Sequence, residues 1–217
     1  MKLEVFAKFF GLAEVKKEIV LEIAKKMNQV FDYKMRFIVP YIKFEVEKAI
    51  INSPEYQGLL YSRGMYSEIG YPQLRSFLLN MVETIVKNVD IEINKFRVIG
   101  ERVEGGLNIG ILKDDYSDIL NLPGGDYSTE KGENIPWLSW LLFQGTRKVI
   151  AGYHYFWSPK TGQRSSRTGE GIMIQGGDWE ISSEFAGTAE NNFLTRALRP
   201  LDSKLSSFLT GLFVEYT

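Results

Sequence analysis

The stretch VDIEINKFRVIGERVEGGLNIGIL, residues 89–112, marks the point where the pattern of the chain changes. Apolar side chains alternate with polar ones on either side of Gly105-Gly106, which is the period-two pattern of half-buried strands. A Gly-Gly pair between two such runs is typical of a tight hairpin turn. We therefore expect two antiparallel strands, over about residues 91–99 and 107–112, joined by a turn at the two glycines.

Helical periodicity dominates the chain before this stretch. In the range 12–30 the apolar positions recur every four residues, at Val15, Ile19, Ile23 and Met27. The stripe is widened by Leu12, Val20 and Ala24. A second run over residues 33–51 contains Pro40, so we expect either a kink or a helix that begins near Val39. A third helix is expected over residues 71–88. The first third of the chain therefore reads as helical.

Two strands and two helices are expected downstream of the hairpin. A proline start predicts a short helix over residues 136–143, and the closing helix is expected over residues 190–213, bent or split by Pro200. Apolar side chains on both faces of residues 148–157 predict a central strand that is covered on both sides. Residues 171–175 are expected to form a short strand. Two residues are candidates for the cap of the closing helix, Thr188 and Glu190.

The predicted elements follow the order of an α+β fold, in which helices come first, then antiparallel strands, and then a helix. We expect N-terminal helices and a C-terminal helix packed on a small antiparallel sheet, within a single domain over residues 1–217. The helical part is expected over residues 1–88. The strands, a basic loop over residues 158–169 and the closing helix are expected over residues 89–217.

The composition excludes several kinds of functional site. The 217 residues include no cysteine and one histidine, His154. Thiolate metal sites, iron–sulfur clusters, cysteine nucleophiles and disulfides are therefore impossible, and one chain cannot form a zinc site with two or three histidines. The formal net charge of -1 rules out a uniformly basic nucleic-acid coat. We expect no enzymatic activity, no metal and no cofactor.

The N-terminal residues give no sign of targeting. Lys2, Glu4 and Lys8 interrupt the first ten residues, which therefore lack the apolar core of a signal peptide. No window approaches the run of about 18 uncharged apolar residues that a membrane span needs. We expect synthesis in the cytosol and no membrane partner.

Charge is distributed in two adjacent blocks of opposite sign. Residues 101–133 hold eight acidic and three basic side chains, whereas residues 134–169 hold no acidic one. The basic side chains of the second block are Arg147, Lys148, Lys160, Arg164 and Arg167. Opposed blocks suit contact between subunits, or a basic loop near phosphate, and the alternative is a merely soluble loop.

Trp137 and Trp140 lie three residues apart on one helical face, as part of the core or as a protein interface.

Two alternatives involve chemistry. Asp114, Asp115 and Asp118 could bind a metal ion for a hydrolase, but their spacing matches no EF-hand loop and a solvated acidic loop is the better explanation. His154 could serve as a catalytic base, but no Gly-x-Ser-x-Gly motif accompanies it, and a hydrogen-bonded structural histidine is the better explanation. A third alternative is a DNA-binding module that uses the basic residues of the segment 147–167.

The C-terminal half resembles a known group of phage proteins. The segments that carry the resemblance are WLLFQGTR (140–147), RTGEGIMI (167–174), EFAGT (184–188) and NFLTRAL (192–198). They are similar to segments of the small neck and tail-completion (head–tail joining) proteins of tailed bacteriophages, of the HK97 gp10-like type. The resemblance covers about residues 137–212, and the chain departs from the group by a longer insertion and a larger N-terminal region.

The resemblance implies a structural protein of the virion without catalytic residues. Such a subunit forms a ring, most often of six or twelve copies, at the head–tail junction or at the top of the tail. One face of the ring would bind a portal or adaptor-side protein, and the other a tail-tube or tail-terminator protein. Non-specific contact with DNA in the lumen is a further expectation.

Overall fold

The computed structural model describes residues 2–6, 13–61, 65–69, 71–113, 115–128, 134–144, 148–157, 171–180 and 185–214. In chain order its elements are β1 (Lys2–Phe6), α1 (Ala13–Ile51), α2 (Pro54–Leu60), α3 (Met65–Ile69), α4 (Leu74–Lys87), β2 (Asp90–Ile99), β3 (Arg102–Gly110) and α5 (Ser117–Leu120). They continue with β4 (Tyr127–Ser128), β5 (Asn134–Ile135), α6 (Trp137–Phe143), β6 (Lys148–Trp157), β7 (Gly171–Glu180), α7 (Phe193–Leu198) and α8 (Leu201–Val214). Helices and antiparallel strands are both present, so the predicted α+β class is confirmed.

The chain divides into two compact units that interleave along the sequence. Unit 1 comprises residues 1–46, 88–111 and 200–217, and unit 2 comprises residues 47–87 and 112–199. Neither unit coincides with the expected helical part or with the expected strand-rich part. The single domain stays a prediction.

Helix α1 runs through Pro40 without interruption, so the prediction of a new helix near Val39 is wrong. Its 39 residues make a rod about 58 Å long. Proline removes one helical hydrogen bond and costs about 3 kcal/mol in a helix interior. Pro40 itself is exposed, while Ile38 and Ile42 on either side are fully buried. Burial of the neighbouring turns therefore offsets the missing bond.

The helical reading of the first third also misses β1.

The buried face of α1 covers one side of the predicted stripe. Val15 is 53% exposed and Ile19 is 38% exposed. The buried positions in unit 1 are Val20, Ala24, Met27, Phe31, Ile38, Ile42 and Val46, and the first three of these belong to the predicted stripe. Both sets follow a helical period, and periodicity alone does not distinguish two neighbouring stripes on one helix.

Helix α8 packs against α1 in the antiparallel direction. Lys34 of α1 donates from Nζ to the carbonyl oxygen of Leu212 at 3.0 Å, and the rings of Tyr41 and Phe208 stack with centroids 3.9 Å apart. Further along, Lys204 donates to the buried carboxylate of Glu45. This hydrogen bond raises the pKa of the Lys204 ammonium. The residue numbers run in opposite directions on the two helices, which fixes their relative orientation.

The sheet of unit 1 has the order β1-β3-β2, with both pairs antiparallel. The turn between β2 and β3 lies at Gly100 and Glu101, where Gly100 has a φ of 62°. The predicted turn at Gly105-Gly106 is therefore wrong, because both glycines lie inside β3. A Cβ atom on Gly105 would lie 2.6 Å from Cδ1 of Phe96, so this glycine makes room for the ring on the neighbouring strand.

Asn28 of α1 holds an irregularity in β2. The register of β2 against β3 shifts between Asn94 and Arg97, as in a β-bulge. The backbone groups of Phe96 within this bulge bond to the Asn28 amide: Phe96 N donates to Oδ1 at 2.8 Å, and Nδ2 donates to Phe96 O at 2.8 Å. The ring of Phe96 also meets the ring of Phe31 edge to face at 5.5 Å. The Asn28 side chain thus supplies hydrogen-bond partners for the N–H and C=O groups of Phe96, which the bulge removes from the strand ladder.

Unit 2 is built around aromatic packing between α4 and α6. The rings of Phe77 and Trp137 meet edge to face with centroids 5.1 Å apart. Trp137 donates from Nε1 to the carbonyl oxygen of Gly124 at 2.7 Å. Gly124 has a φ of 105°, and a Cβ atom there would lie 2.7 Å from the hydroxyl oxygen of Tyr71. Gly124 and Gly125 both lie outside the helices and strands.

Strands β6 and β7 form a two-stranded antiparallel ribbon. Lys148 pairs with Glu180 at one end, and Trp157 pairs with Gly171 at the other. The predicted central position of β6 is wrong, because among the described strands it pairs with β7 alone. β7 is also longer than the predicted residues 171–175. The predicted interruption at Pro200 is confirmed, since α7 ends before it and α8 begins after it.

The Asn28 clamp leads to a stability prediction. Asn28→Ala removes both bonds to the Phe96 backbone, and we expect it to lower the free energy of unfolding by about 1 to 3 kcal/mol. Asn88→Ala changes an exposed asparagine of the same unit and is expected to change that free energy by less than about 0.5 kcal/mol. Urea denaturation monitored by circular dichroism measures both. Equal midpoints for the two variants would show that the bulge does not depend on Asn28.

Candidate functional site

Of the basic residues singled out in the sequence, the structure describes Lys148. Lys148 begins β6, and its backbone pairs with Glu180. Four of the predicted contact residues lie outside the described residues: Arg147, Lys160, Arg164 and Arg167. Because Trp157 and Gly171 are paired, residues 158–170 join two neighbouring strand ends. The basic segment is therefore carried between the ends of an antiparallel ribbon.

The two tryptophans belong to the core of unit 2. Trp137 is 1% exposed and Trp140 is 8% exposed. The indole nitrogen of Trp137 already has a partner in the Gly124 carbonyl. The prediction that Trp137 and Trp140 contact a partner is therefore wrong, because side chains buried to this degree within the chain offer no surface to a partner.

The acidic residues around position 115 do not converge in the described part of the chain. Asp114 lies outside the described residues. Asp115 accepts a hydrogen bond at Oδ1 from the backbone N–H of Ser117 at 3.0 Å, and this bond lowers the pKa of the Asp115 carboxyl. Asp126 accepts from the side-chain amide of Asn134 at 3.1 Å. Within the described ranges, no group of three or more His, Asp or Glu side chains could hold a metal ion. The metal-dependent hydrolase stays a prediction.

His154 lies on β6, where its backbone pairs with Ile174. Sequence reasoning weighed this residue as a catalytic base or a structural histidine. The structure gives its place in the strand and adds nothing to either interpretation.

Asn192 is a buried residue of unit 2 with many hydrogen bonds, and the sequence analysis did not single it out. It is fully buried, and its Oδ1 accepts from the backbone N–H groups of Leu194 and Thr195 at 3.1 Å each. Thr195 Oγ1 accepts in return from the Asn192 N–H at 2.8 Å, which completes a capping box. The cap of α7 is therefore Asn192, and the predicted caps Thr188 and Glu190 are wrong. Thr195 in place of the usual Glu or Gln at the third helical position hides the motif from a pattern search.

The amide of Asn192 also reaches a distant tyrosine. Its Nδ2 donates to the hydroxyl oxygen of Tyr116 at 2.9 Å, and that hydroxyl donates to the carbonyl oxygen of Ala189 at 3.1 Å. The Tyr116 ring meets the Phe143 ring edge to face at 5.5 Å. Tyr116 has a φ of 55°, a left-handed conformation that is uncommon for a residue with a Cβ atom. The hydrogen bonds and the ring contact hold this residue in place.

Gly187 marks the closest approach of two of the segments that carry the resemblance. A Cβ atom on Gly187 would lie 2.5 Å from the carbonyl oxygen of Leu141 and 2.6 Å from Cβ of Asn192. Only a residue without a side chain fits between α6 and the start of α7. The segments 140–147, 184–188 and 192–198 therefore meet at one point through their described residues.

A buried ion pair joins α7 to α2. Arg196 Nε donates to Oε1 of Glu55 at 2.7 Å, and the side chain of Glu55 is 8% exposed. Arg196 Nη1 also donates to the carbonyl oxygens of Asn191 and Ala186 at 3.2 and 3.4 Å. Loss of either partner would leave a charge largely buried without compensation. These residues fix the entry to α7, and they are 141 positions apart in sequence.

A depression of about 590 Å³ lies on the sheet of unit 1 beside the β2 bulge. Its lining residues include Lys95, Arg97, Asn94, Asn108 and Glu104. They offer cationic and amide donors next to one carboxylate. The described lining holds neither a nucleophile with a base nor three metal-ligating groups.

Comparison of the chain with protein-family models, with curated proteins and with solved structures gives no match in any of the three. Among the described helices, none is both long enough and apolar enough to cross a membrane.

The Asn192 cluster leads to a second stability prediction. Asn192→Ala removes the cap and leaves the Tyr116 hydroxyl without its donor, so we expect the free energy of unfolding to fall by about 2 kcal/mol or more. Asn191→Ala is the matched control, since Asn191 is exposed and contributes only backbone groups to its hydrogen bonds. Chemical denaturation of both variants measures the difference. A cost for Asn191→Ala as large as that for Asn192→Ala would contradict the assigned role.

Proposed function

We propose that the chain is a structural protein of a tailed-phage virion, which forms a ring at the neck or at the top of the tail. In this proposal each copy binds its neighbours, a portal or adaptor-side protein and a tail-tube or tail-terminator protein. The basic segment 147–167 belongs to the contact surface and carries no chemistry. The observation that carries the proposal is the two-stranded β6–β7 ribbon.

An isolated two-stranded ribbon is marginally stable in water, since it lacks a third strand or a helix to cover it. β6 and β7 pair with each other and with no other described strand. Residues 174–177 of β7 are exposed, and Ile174 is 44% exposed. A ribbon of this kind gains most from docking on another subunit. This supports an assembling protein over a self-sufficient monomer.

Charge supports the same proposal. The segment between the paired ends of the ribbon contains Lys160, Arg164 and Arg167 and one acidic residue, Glu170. The acidic block 101–133 of a neighbouring copy has the opposite sign. Contacts between opposite charges guide association and fix which faces meet. When the segment between β6 and β7 of one copy binds the acidic block of the next copy, the contact is head-to-tail. Repeated head-to-tail contacts form a ring when the rotation between copies closes.

The convergence at Gly187 is the third support. Two of the segments that resemble phage neck and tail-completion proteins, 140–147 and 184–188, are distant in sequence, and they meet at Leu141 and Gly187, next to Asn192 of a third segment. Segments that resemble one group of proteins and also pack together are more informative than short similarities scattered over a surface.

The proposal predicts assembly that depends on the basic segment. At high protein concentration and low salt, light scattering after size exclusion is expected to show a closed oligomer of six or twelve copies. Arg164→Glu with Arg167→Glu should lower the fraction in this oligomer at least tenfold, because four units of charge change at the contact. High salt should have the same effect as the double variant.

A matched control separates contact from general charge. Lys17→Glu with Lys87→Glu makes the same change of charge at exposed positions of α1 and α4, and it is expected to leave assembly intact. A wild-type chain that never exceeds a dimer, or rings that form equally well in the Arg164/Arg167 double variant, would contradict the proposal. Salt-sensitive DNA binding by the monomer, lost in that variant, would favour the DNA-binding alternative instead.

A further inference from the structure

Helix α1 carries a second apolar stripe beside the one that it buries in unit 1. Tyr33 is 61% exposed, Phe37 is 58% exposed and Phe44 is 56% exposed. Towards the N-terminus the stripe continues through the half-buried Val30 and Ile23. Large aromatic side chains exposed to this degree along one helix typically mark an interaction surface.

The spacing of this stripe is that of a coiled-coil seam. Its positions alternate in steps of four and three residues over more than three heptads: Ile19, Ile23, Lys26, Val30, Tyr33, Phe37, Pro40 and Phe44. Such a repeat places its side chains along one line that faces a second helix. The buried stripe one residue further on is already covered within unit 1, so α1 has the two adjacent seams of a helix in a bundle.

We propose that this stripe, the α1 seam, packs against the α1 seam of a second copy in the antiparallel direction. The inference goes beyond the proposed function and does not depend on it. A two-fold contact of this kind uses the same patch on both copies.

Charge along the seam selects the antiparallel direction. With Val30 opposite the partner's Tyr33, Lys26 lies opposite the partner's Phe37, where an ammonium over a ring is favourable. Glu22, which flanks the seam, then lies beside the partner's Lys43. A parallel pair in register would instead place Lys26 against the partner's Lys26 within an apolar seam, which is unfavourable.

The monomer leaves the groups for these contacts accessible. Among the described residues, Glu22 pairs with Lys25 on its own helix, at 3.5 Å, and the Glu22 side chain is 56% exposed. Arg36 lies over the rings of Tyr33 and Phe37, 4.2 and 4.7 Å from their centroids. Tyrosine and arginine are the residues most enriched at the centres of protein interfaces. The seam therefore has an apolar line with a charged margin.

Sedimentation of the purified full chain from about 1 to about 100 µM tests the contact. We expect a dimer of the wild-type chain, and an increase of at least tenfold in its dissociation constant for Phe37→Glu. Leu79→Glu is the control, because Leu79 is 64% exposed on a different helix, α4. It should dimerise as the wild type does. A monomer at all concentrations, or a dimer unchanged by Phe37→Glu, would overturn the proposal.

Two further variants test the direction. Glu22→Lys and Lys43→Glu should each weaken the dimer, and the variant with both changes should recover wild-type affinity, since the pair is restored with its charges exchanged. The chain has no cysteine, so introduced thiols report distances without interference. A mixture of Val30→Cys and Tyr33→Cys chains should cross-link on oxidation into a mixed dimer. Self-cross-linking of Tyr33→Cys alone with no mixed product would show a parallel pair and overturn the inference.

The readouts distinguish this inference from the proposed function. Loss of the dimer in Phe37→Glu with rings intact supports the seam and a separate ring contact. Rings that form without any two-fold contact in the wild type would overturn the α1 seam and leave the proposed function standing.

Discussion

The continuity of α1 through Pro40 is the constraint on which the rest of unit 1 depends. One straight element of 39 residues supplies the amide of Asn28 to the β2 bulge and the carboxylate of Glu45 to α8. A break at Pro40 would separate these two contacts, and the sheet and the closing helix would no longer share one support. The fully buried Ile38 and Ile42 next to the proline are therefore as important to the architecture as the contacts themselves. The same continuity creates the long α1 seam.

In unit 2, as in unit 1, polar side chains join elements that are distant in sequence. Asn192 caps α7 and binds Tyr116, while Arg196 binds Glu55, so the short helix is held at its start from two sides. Gly187 lets the chain pass close enough to α6 for this arrangement to form. A buried polar network of this kind specifies one geometry, because a displaced partner would leave groups without hydrogen bonds.

Local patterns in the sequence predicted the α+β class, the short helix after Pro136 and the interruption at Pro200, because each depends on neighbouring residues. The turn at Gly105-Gly106 was predicted wrongly, since the glycine is required by a ring on the adjacent strand. The Asn28 clamp joins residues 68 positions apart, and no local signal indicates such a contact. The two tryptophans proved to be core, whereas four of the five predicted basic contact residues lie outside the described part of the chain. Distinguishing the exposed stripe of α1 from the buried one required the three-dimensional packing.

The central claim is that this chain is a subunit of a phage particle. Electron cryomicroscopy of purified particles from a phage that encodes the chain tests it most directly, with mass spectrometry of the same particles. The account predicts a ring at the neck or tail top that contains, in each copy, a straight helix about 58 Å long, and peptides of the chain in a fixed ratio to the portal protein. Complete, infectious particles that contain neither the ring nor the peptides would contradict it.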